Sequence, residues 1–331
     1  MAVIDINNGY RRITVSDRGR SLLSILHNND VFIPSACGGQ GACGYCRVRV
    51  LQGGGPVTDR EKVRLKPEEL DTGLRLSCQI EVEDDISIEI PAQRFTSKRF
   101  TAKVEFKRLL TPTILHLRLT LTVPTEITFV AGQYVQLESR PMGAVPAVSR
   151  AYSIATPPSQ RNAVELILRR LPHGISTTWA FDHLHEGEEV AFTGPHGSFR
   201  LSDTQAPFIM AAGGSGMAPI RSILYDMNDK GIRRPGTYFF GMPAEADLFM
   251  NDEMASLAAA LPDFYFVPVV MRSGADWKGD TGTPIDAVER RFSDLSAHEA
   301  YLCGSPGMIE ACIRSFTARG MKESAIFYDK F

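Results

Sequence analysis

From Ala2 to Pro91 apolar and polar residues alternate in short runs, Tyr10 to Val15, Cys46 to Leu51 and Ile86 to Ile90, with the period of a half-buried strand. A brief helical stretch, Ser21 to Asn28, stands among them, and the mixture predicts a small α+β domain. From Thr101 to about Arg200, runs of β-branched and apolar residues such as Leu115 to Val123, Gln133 to Leu137 and Val164 to Arg170 are parted by Gly and Pro turns. That spacing predicts an antiparallel barrel. The pattern changes after Pro207. An apolar strand, Phe208 to Ala212, runs into a glycine turn and a helix, and Thr237 to Phe240, a helix around Glu253 to Ala260 and Tyr265 to Val270 follow. Strand alternating with helix implies a parallel sheet.

A length of 331 residues suits two or three such domains, and 44% hydrophobic with 22% charged residues excludes disorder and a disulfide-stapled miniprotein. With 36 Lys+Arg against 38 Asp+Glu the chain has no global field to attract nucleic acid or an anionic membrane. No apolar stretch approaches the ~18 residues of a transmembrane segment, and Met1 to Tyr10 lacks a signal-peptide pattern, so a cytoplasmic protein is expected. One local exception is the basic patch of Arg94, Lys98, Arg99, Lys103 and Lys107, read as a solvated linker and first strand rather than a face for an acidic partner.

Cysteine placement carries the first chemistry. Cys37, Cys43, Cys46 and Cys78 cluster in the first quarter, away from Cys303 and Cys312. The run Cys37-Gly-Gly-Gln-Gly-Ala-Cys43-Gly-Tyr-Cys46 sets three thiols on a glycine-rich loop, and Cys78 returns a fourth. The plant-type 2Fe-2S spacing is C-x4-C-x2-C with a distant fourth cysteine, and this loop has one residue more in its first gap. Gly38, Gly39, Gly41 and Gly44 suit a loop that needs positive φ and inward-turned amides. A four-cysteine zinc site is the alternative, but it normally uses two C-x2-C knuckles, and here the last cysteine stands alone. Cys312, in an apolar helical pattern after Met308 and Ile309, reads as an inert core residue.

Gly214-Ser-Gly216-Met-Ala-Pro219 follows the strand and opens the helix, where backbone amides and the helix dipole hold a pyrophosphate. Pro219 replaces the usual third Gly or Ala and suits a first helical turn. Cys303-Gly304-Ser-Pro-Gly-Met308 lies at the carboxyl end of another expected parallel strand, where open α/β sheets bind ligands, and a thiol there is placed to approach a nicotinamide. Glu245 and Asp247 follow the strand Thr237 to Phe240, positioned for a ribose hydroxyl and against a 2′-phosphate. Between Thr237 and Trp277 the only basic residue is Arg272, which favours NADH over NADPH. Surface charge or a helix N-cap is the plainer role for the two acids.

The four-cysteine loop, Arg150-Ala-Tyr152-Ser153, and the Gly214 turn with Cys303-Gly304-Ser-Pro occur in a fixed order that resembles the iron-sulfur flavoprotein reductases of the ferredoxin-NADP reductase superfamily. Within it the chain most resembles the soluble part of the F subunits of sodium-translocating NADH:quinone oxidoreductases, which share the five-residue first gap and the Arg75-Leu-Ser-Cys78 run. Bacterial oxygenase reductase components share the modules but generally keep the shorter gap. The resemblance implies a β-grasp 2Fe-2S ferredoxin domain (1–95), a β-barrel FAD domain (96–202) and a Rossmann-like NAD(P)H domain (203–331). It also implies Arg150 on the FAD pyrophosphate, Tyr152 against the isoalloxazine and Ser153 beside its N5, roles that suit each side chain. Gly174-Ile175-Ser176-Thr177 resembles a second flavin-phosphate turn, and Gly132-Gln133-Tyr134 the strand beside the flavin; alone, each reads as a tight turn or a strand with a buried Tyr. The ending Phe327-Tyr-Asp329-Lys-Phe331 is similar to the segment covering the flavin's other face, with Phe331 as a nicotinamide gate and Asp329 as a candidate proton relay, against a frayed tail as the plainer alternative. Sodium pumping is not implied, because the amino-terminal membrane helix of those F subunits is missing, the insertion before the flavin motif is much shorter, and no glycines trail Phe331.

The expected activity is hydride transfer from NADH to FAD, followed by single-electron steps through the cluster to a separate acceptor, with flavin as converter between the two regimes. An oxygenase component, a ferredoxin, a corrinoid protein or another metalloprotein is the expected partner. The alternatives are a peripheral NADH-input component of a membrane complex and a non-catalytic redox-responsive binding module.

Overall fold

The computed structural model describes residues 1–16, 19–35, 37–91 and 95–330. Arg94 and the expected gate Phe331 lie outside the described residues. Contacts gather the chain into two units. The first is Met1–Thr101, Val135–Ala151 and Val190–His196; the second is Ala102–Tyr134, Tyr152–Glu189 and Gly197–Phe331.

The N-terminal alternation folds into β1 (Ala2–Ile6), β2 (Arg11–Val15), β3 (Arg20–Ser21), α1 (Leu22–Asn28), β4 (Arg47–Gln52), α2 (Asp59–Arg64), α3 (Pro67–Asp71), β5 (Leu74–Leu76), β6 (Glu81–Val82) and β7 (Ile86–Glu89). Five strands pair in the order β2-β1-β7-β4-β5, parallel between β1 and β7 and antiparallel elsewhere. Ser21 starts α1 by accepting a bond from the Ser24 amide, and the helix packs Leu22, Ile25 and Leu26 over Ile4, Ile6, Val48 and Ile88 of the sheet. Each fully buried Leu or Ile contributes roughly 1.5–3 kcal/mol. The cysteine loop spans the gap between this helix and β4.

The middle of the chain forms β8 (Lys98–Thr111), β9 (Ile114–Val123), β10 (Tyr134–Glu138), β11 (Ser149–Ser153), β12 (Ala163–Arg169), α4 (Ile175–Thr178) and β13 (Glu189–His196), in the sheet order β11-β10-β13-β8-β9-β12. Of the basic residues read as linker and first strand, Lys98, Arg99, Lys103 and Lys107 all belong to the strand β8, which begins in the first unit and continues into the second. Arg99 makes two 2.6 Å bonds to Glu138, and the Lys107 ammonium donates to the carbonyls of Phe181 and Leu184. Arg99 and Lys107 thus serve the strand part of that reading.

Strand–helix alternation continues with β14 (Phe208–Gly213), α5 (Met217–Lys230), β15 (Gly236–Ala244), α6 (Asn251–Ala260), β16 (Phe264–Arg272), β17 (Asp280–Thr281), α7 (Pro284–Arg291), β18 (Glu299–Gly304), α8 (Pro306–Ala318) and β19 (Ile326–Lys330). All pairings are parallel, in the order β17-β16-β15-β14-β18-β19. Period two sends Phe208, Met210, Ala212, Tyr301 and Cys303 to the face covered by α5 and α6, and Ile209, Ala211, Ala300 and Leu302 to the face covered by α7 and α8. Cys312 is wholly buried on the second face, where burial pushes its thiol up to about 12. Residues Phe327 to Asp329 belong to an edge strand rather than a frayed tail, with Asp329 opposite Cys303.

Candidate cluster and hydride-transfer sites

In the first unit the four N-terminal thiols stand in two pairs. Cys43 is hydrogen-bonded to Cys37 and Cys46 to Cys78; within each pair that bond lowers one thiol, Cys37 and Cys78, and raises the other, Cys43 and Cys46. Amides of Gln40, Ala42 and Cys43 turn to the Cys37 sulfur, that of Tyr45 to Cys43, and that of Gly41 to Cys78. Gly38, Gly39, Gly41 and Gly44 all have positive φ, which is what lets so short a loop turn its amides inward. Among the described residues no group of three or more His, Cys, Asp or Glu is arranged around a single metal ion. Two thiol pairs with converging amides fit two irons, each taking two sulfurs.

Gly38 also passes Arg150 closely. A Cβ there would lie 2.2 Å from the movable Arg150 Nη1 and 3.0 Å from the Ser149 carbonyl, and the φ of +66° strains any side chain at this position. In the second unit, Tyr152 Oη and Ser176 Oγ are 2.9 Å apart, which ties the end of β11 to the turn opening α4. Thr177 Oγ1 closes that turn on the Gly174 carbonyl at 3.1 Å. Gly132 packs against the Phe199 carbonyl; Gln133 braces the amide of Val130 and the carbonyl of Gly197; Tyr134 is buried beneath Gly197. Gln133 therefore spends its side chain on its own turn.

Ser153, at the end of β11, donates to Asp329 Oδ2 at 3.3 Å. Burial pushes the Asp329 carboxyl up to about 6, against the hydroxyl bond that lowers it. Cys303 is fully buried, and burial followed by the Asp329 charge raises its thiol well above the ordinary range, so it remains a neutral S–H. Gly214 and Gly216 form a tight turn ahead of α5, and Pro219 lies in the first turn of that helix. A Cβ on Gly216 would lie 2.3 Å from the Cys303 carbonyl oxygen, so the dinucleotide turn and the Cys303 strand meet only through glycine. Glu245 is exposed, whereas Asp247 accepts from the Ala244 amide at 3.1 Å and caps its own turn.

Three family profiles match in chain order: a 2Fe-2S iron-sulfur cluster binding domain over residues 5–83, an oxidoreductase FAD-binding domain over 101–201 and an oxidoreductase NAD-binding domain over 210–314. The F subunit of the Na(+)-translocating NADH-quinone reductase of Neisseria meningitidis is 31% identical, covering 98% of this chain and 90% of its own. The chain belongs to the iron-sulfur flavoprotein reductases. The propane 2-monooxygenase reductase component of Mycolicibacterium goodii is 32% identical over 88% of this chain and 86% of its own. Among solved structures, the Amycolatopsis cytochrome P450 reductase GcoB superposes with a TM-score of 0.81 at 31% identity, covering 100% of this chain and 99% of its own. The carbazole 1,9a-dioxygenase ferredoxin reductase shares the fold with a TM-score of 0.75 at 23% identity. This reductase is thus an oxidoreductase that uses NADH, FAD and a 2Fe-2S cluster and serves a redox partner. No helix among its described residues is long and apolar enough to cross a membrane.

Three groups in the reductase escaped sequence reasoning. Glu61, fully buried, holds Arg75 through bonds of 2.8 and 2.9 Å and accepts the Leu76 amide, which anchors the approach to Cys78. Thr58 and Glu61 form a capping box, the one sequence signal that marks this carboxylate. Arg221 on α5 donates to Glu165 of β12 and to Glu253, and Ser222 donates to the Thr156 carbonyl. Against burial, which alone would raise it, His116, Arg221 and Arg118 hold Glu165 at about 2. Arg169, at the end of β12, lays its Cδ 3.8 Å from where a Cβ on Gly214 would stand, which sets an exposed cation at the dinucleotide turn.

Proposed function

We propose that this reductase takes hydride from NADH and delivers single electrons to a separate oxygenase component, with a ferredoxin, a corrinoid protein or another metalloprotein as other acceptors of the same kind. The observation that carries the reading is the pairing of four thiols under inward amides in a chain that also carries the Ser153–Asp329 contact. When bound, FAD converts a two-electron donor to one-electron delivery, and the cluster carries the single electrons onward. The division 1–95, 96–202 and 203–331 assigns one cofactor to each module.

Arg150 holds the flavin pyrophosphate, joined by the turn of Gly174, Ile175, Ser176 and Thr177; Tyr152 lies on the flavin ring, and Gly132, Gln133 and Tyr134 shape the strand beside it. Gly214, Gly216, Pro219 and Gly304 leave room for the dinucleotide backbone, Arg169 offers a cation to its phosphates, and Glu245 faces the ribose. Asp247, engaged with its own turn, contributes negative field rather than a direct bond. Ser153 and Cys303 orient the reacting centre, and Asp329 holds or passes a proton at Ser153 Oγ. Phe331 is the proposed gate.

The test is steady-state turnover with NADH against ferricyanide and against a one-electron protein acceptor, cytochrome c, in wild type and Cys46→Ser. Ferricyanide reduction that survives with cytochrome c reduction reduced by about 100-fold supports the reading; equal rates in both proteins with both acceptors contradict it. A second reading, a peripheral NADH-input component of a membrane complex, is favoured by the near full-length match to the F subunit of the Neisseria quinone reductase. Co-purification with an integral complex would select it.

A further inference from the structure

Strand β10 carries a glutamine where its neighbours are apolar. Gln136 is 1% exposed between Val135 and Leu137, and burying a primary amide is costly unless both ends are bonded. Both are, and to one residue: Gln136 Nε2 donates to the Ser35 carbonyl at 2.8 Å, and its Oε1 accepts from the Ser35 amide at 3.2 Å. Ser35 then passes the constraint on. Its carbonyl also accepts from the Gly38 amide at 3.2 Å, and its hydroxyl accepts from the Gly39 amide at 2.8 Å. Gly38 in turn abuts Arg150 and Ser149, so the same loop is held at two places, both on residues of the 135–151 segment that belongs to the first unit.

We propose that Gln136 is a positioning residue for the iron-sulfur cluster: by gripping both backbone groups of Ser35, two residues ahead of Cys37, it fixes the mouth of the cysteine loop and aims its amides at the sulfurs. This role rests on the assignment of a 2Fe-2S cluster to the four N-terminal cysteines. Amides directed at ligand sulfurs stabilise the more negative reduced cluster and raise its potential. Loosening the loop therefore lowers the midpoint potential and broadens the spread of cluster geometries. A glutamine that only filled space in the barrel would leave both unchanged when replaced by an apolar residue of similar size.

The experiment compares the cluster-loaded wild-type chain with Gln136→Met, which keeps the volume, and Gln136→Glu, which keeps the acceptor for the Ser35 amide but loses the donor to its carbonyl. Amide exchange at Ser35, Gly38 and Gly39 is expected to quicken by about tenfold in Gln136→Met. With dithionite as reductant, the expected result is a lower cluster midpoint potential and a broadened EPR spectrum. If Gln136→Met does not fold, Gln136→Glu is expected to carry the same potential and EPR changes. Faster exchange with wild-type potential and EPR spectrum in the folded variant overturns the proposal and leaves a purely structural glutamine. Absence of any cluster signal in wild type contradicts the cluster assignment itself, whereas a wild-type signal with unaltered variants contradicts only the role of Gln136.

Discussion

Gly216 shows how closely the dinucleotide turn is packed, because a single methyl group there would stand 2.3 Å from the Cys303 carbonyl oxygen. Backbone on both sides prevents easy relief, so Gly216→Ala is expected to lower kcat/KM for NADH by about 100-fold, the cost of misplacing reactants by roughly 1 Å. Dithionite should still reduce the flavin and cluster of that variant. The proposed proton relay through Asp329 predicts a pH effect. Its carboxyl, raised to about 6 by burial, is protonated below that pH and becomes able to take a proton from Ser153 Oγ above it. Reoxidation of reduced flavin should therefore accelerate as pH rises through about 6, and stopped-flow traces of Asp329→Asn should lose that limb. That Cys37, Cys43 and Cys46 would gather was legible in sequence, because spacing along a short loop is set by covalent geometry, whereas the approach of Cys78 depends on the fold. Asp329 was nameable only by resemblance, since its altered acidity comes from burial beside β18, which no local pattern encodes.

At the scale of elements, α5 is fastened to β12 by the Arg221–Glu165 pair and to the segment ahead of β12 by the bond from Ser222 to the Thr156 carbonyl. Arg221→Met removes one partner of a buried pair and leaves Glu165 short of a cation, so denaturant unfolding should show a loss of about 3 kcal/mol. Glu165 also sets an acid limit. Its native acidity, about 2, lies below the ordinary carboxylate value near ~4.3, so the stabilisation is complete above the latter and is lost as pH falls toward 2. Unfolding midpoints followed from pH 6 to pH 2 should fall mainly below about 4.3, and less in Glu165→Gln. Strands such as β2, β9 and β14 were readable because one or both faces are buried and the alternation follows. The start of β8 was read as linker and first strand together, because Lys98 and Arg99 precede an alternation that begins only with Phe100, Ala102 and Val104. The Glu61–Arg75 and Gln136–Ser35 contacts join residues far apart in sequence, so neither had a local signature beyond the capping box at Thr58.

For the whole molecule, three chemistries in one polypeptide make a stoichiometric claim that no single site makes. Flavin stores two electrons and a 2Fe-2S cluster one, so full reduction requires about one and a half NADH per chain. The order of modules was legible because each carries its own short motif, matched at 5–83, 101–201 and 210–314. The identity of the acceptor was not, because recognition of a partner depends on surface shape and charge that one sequence does not pattern. The most direct measurement is an anaerobic NADH titration of the purified protein, followed by visible absorbance and EPR. The account predicts loss of flavin and cluster absorbance at about one and a half equivalents with the EPR signal of a reduced cluster. Bleaching complete at one equivalent without that signal, or a colourless protein, would contradict it.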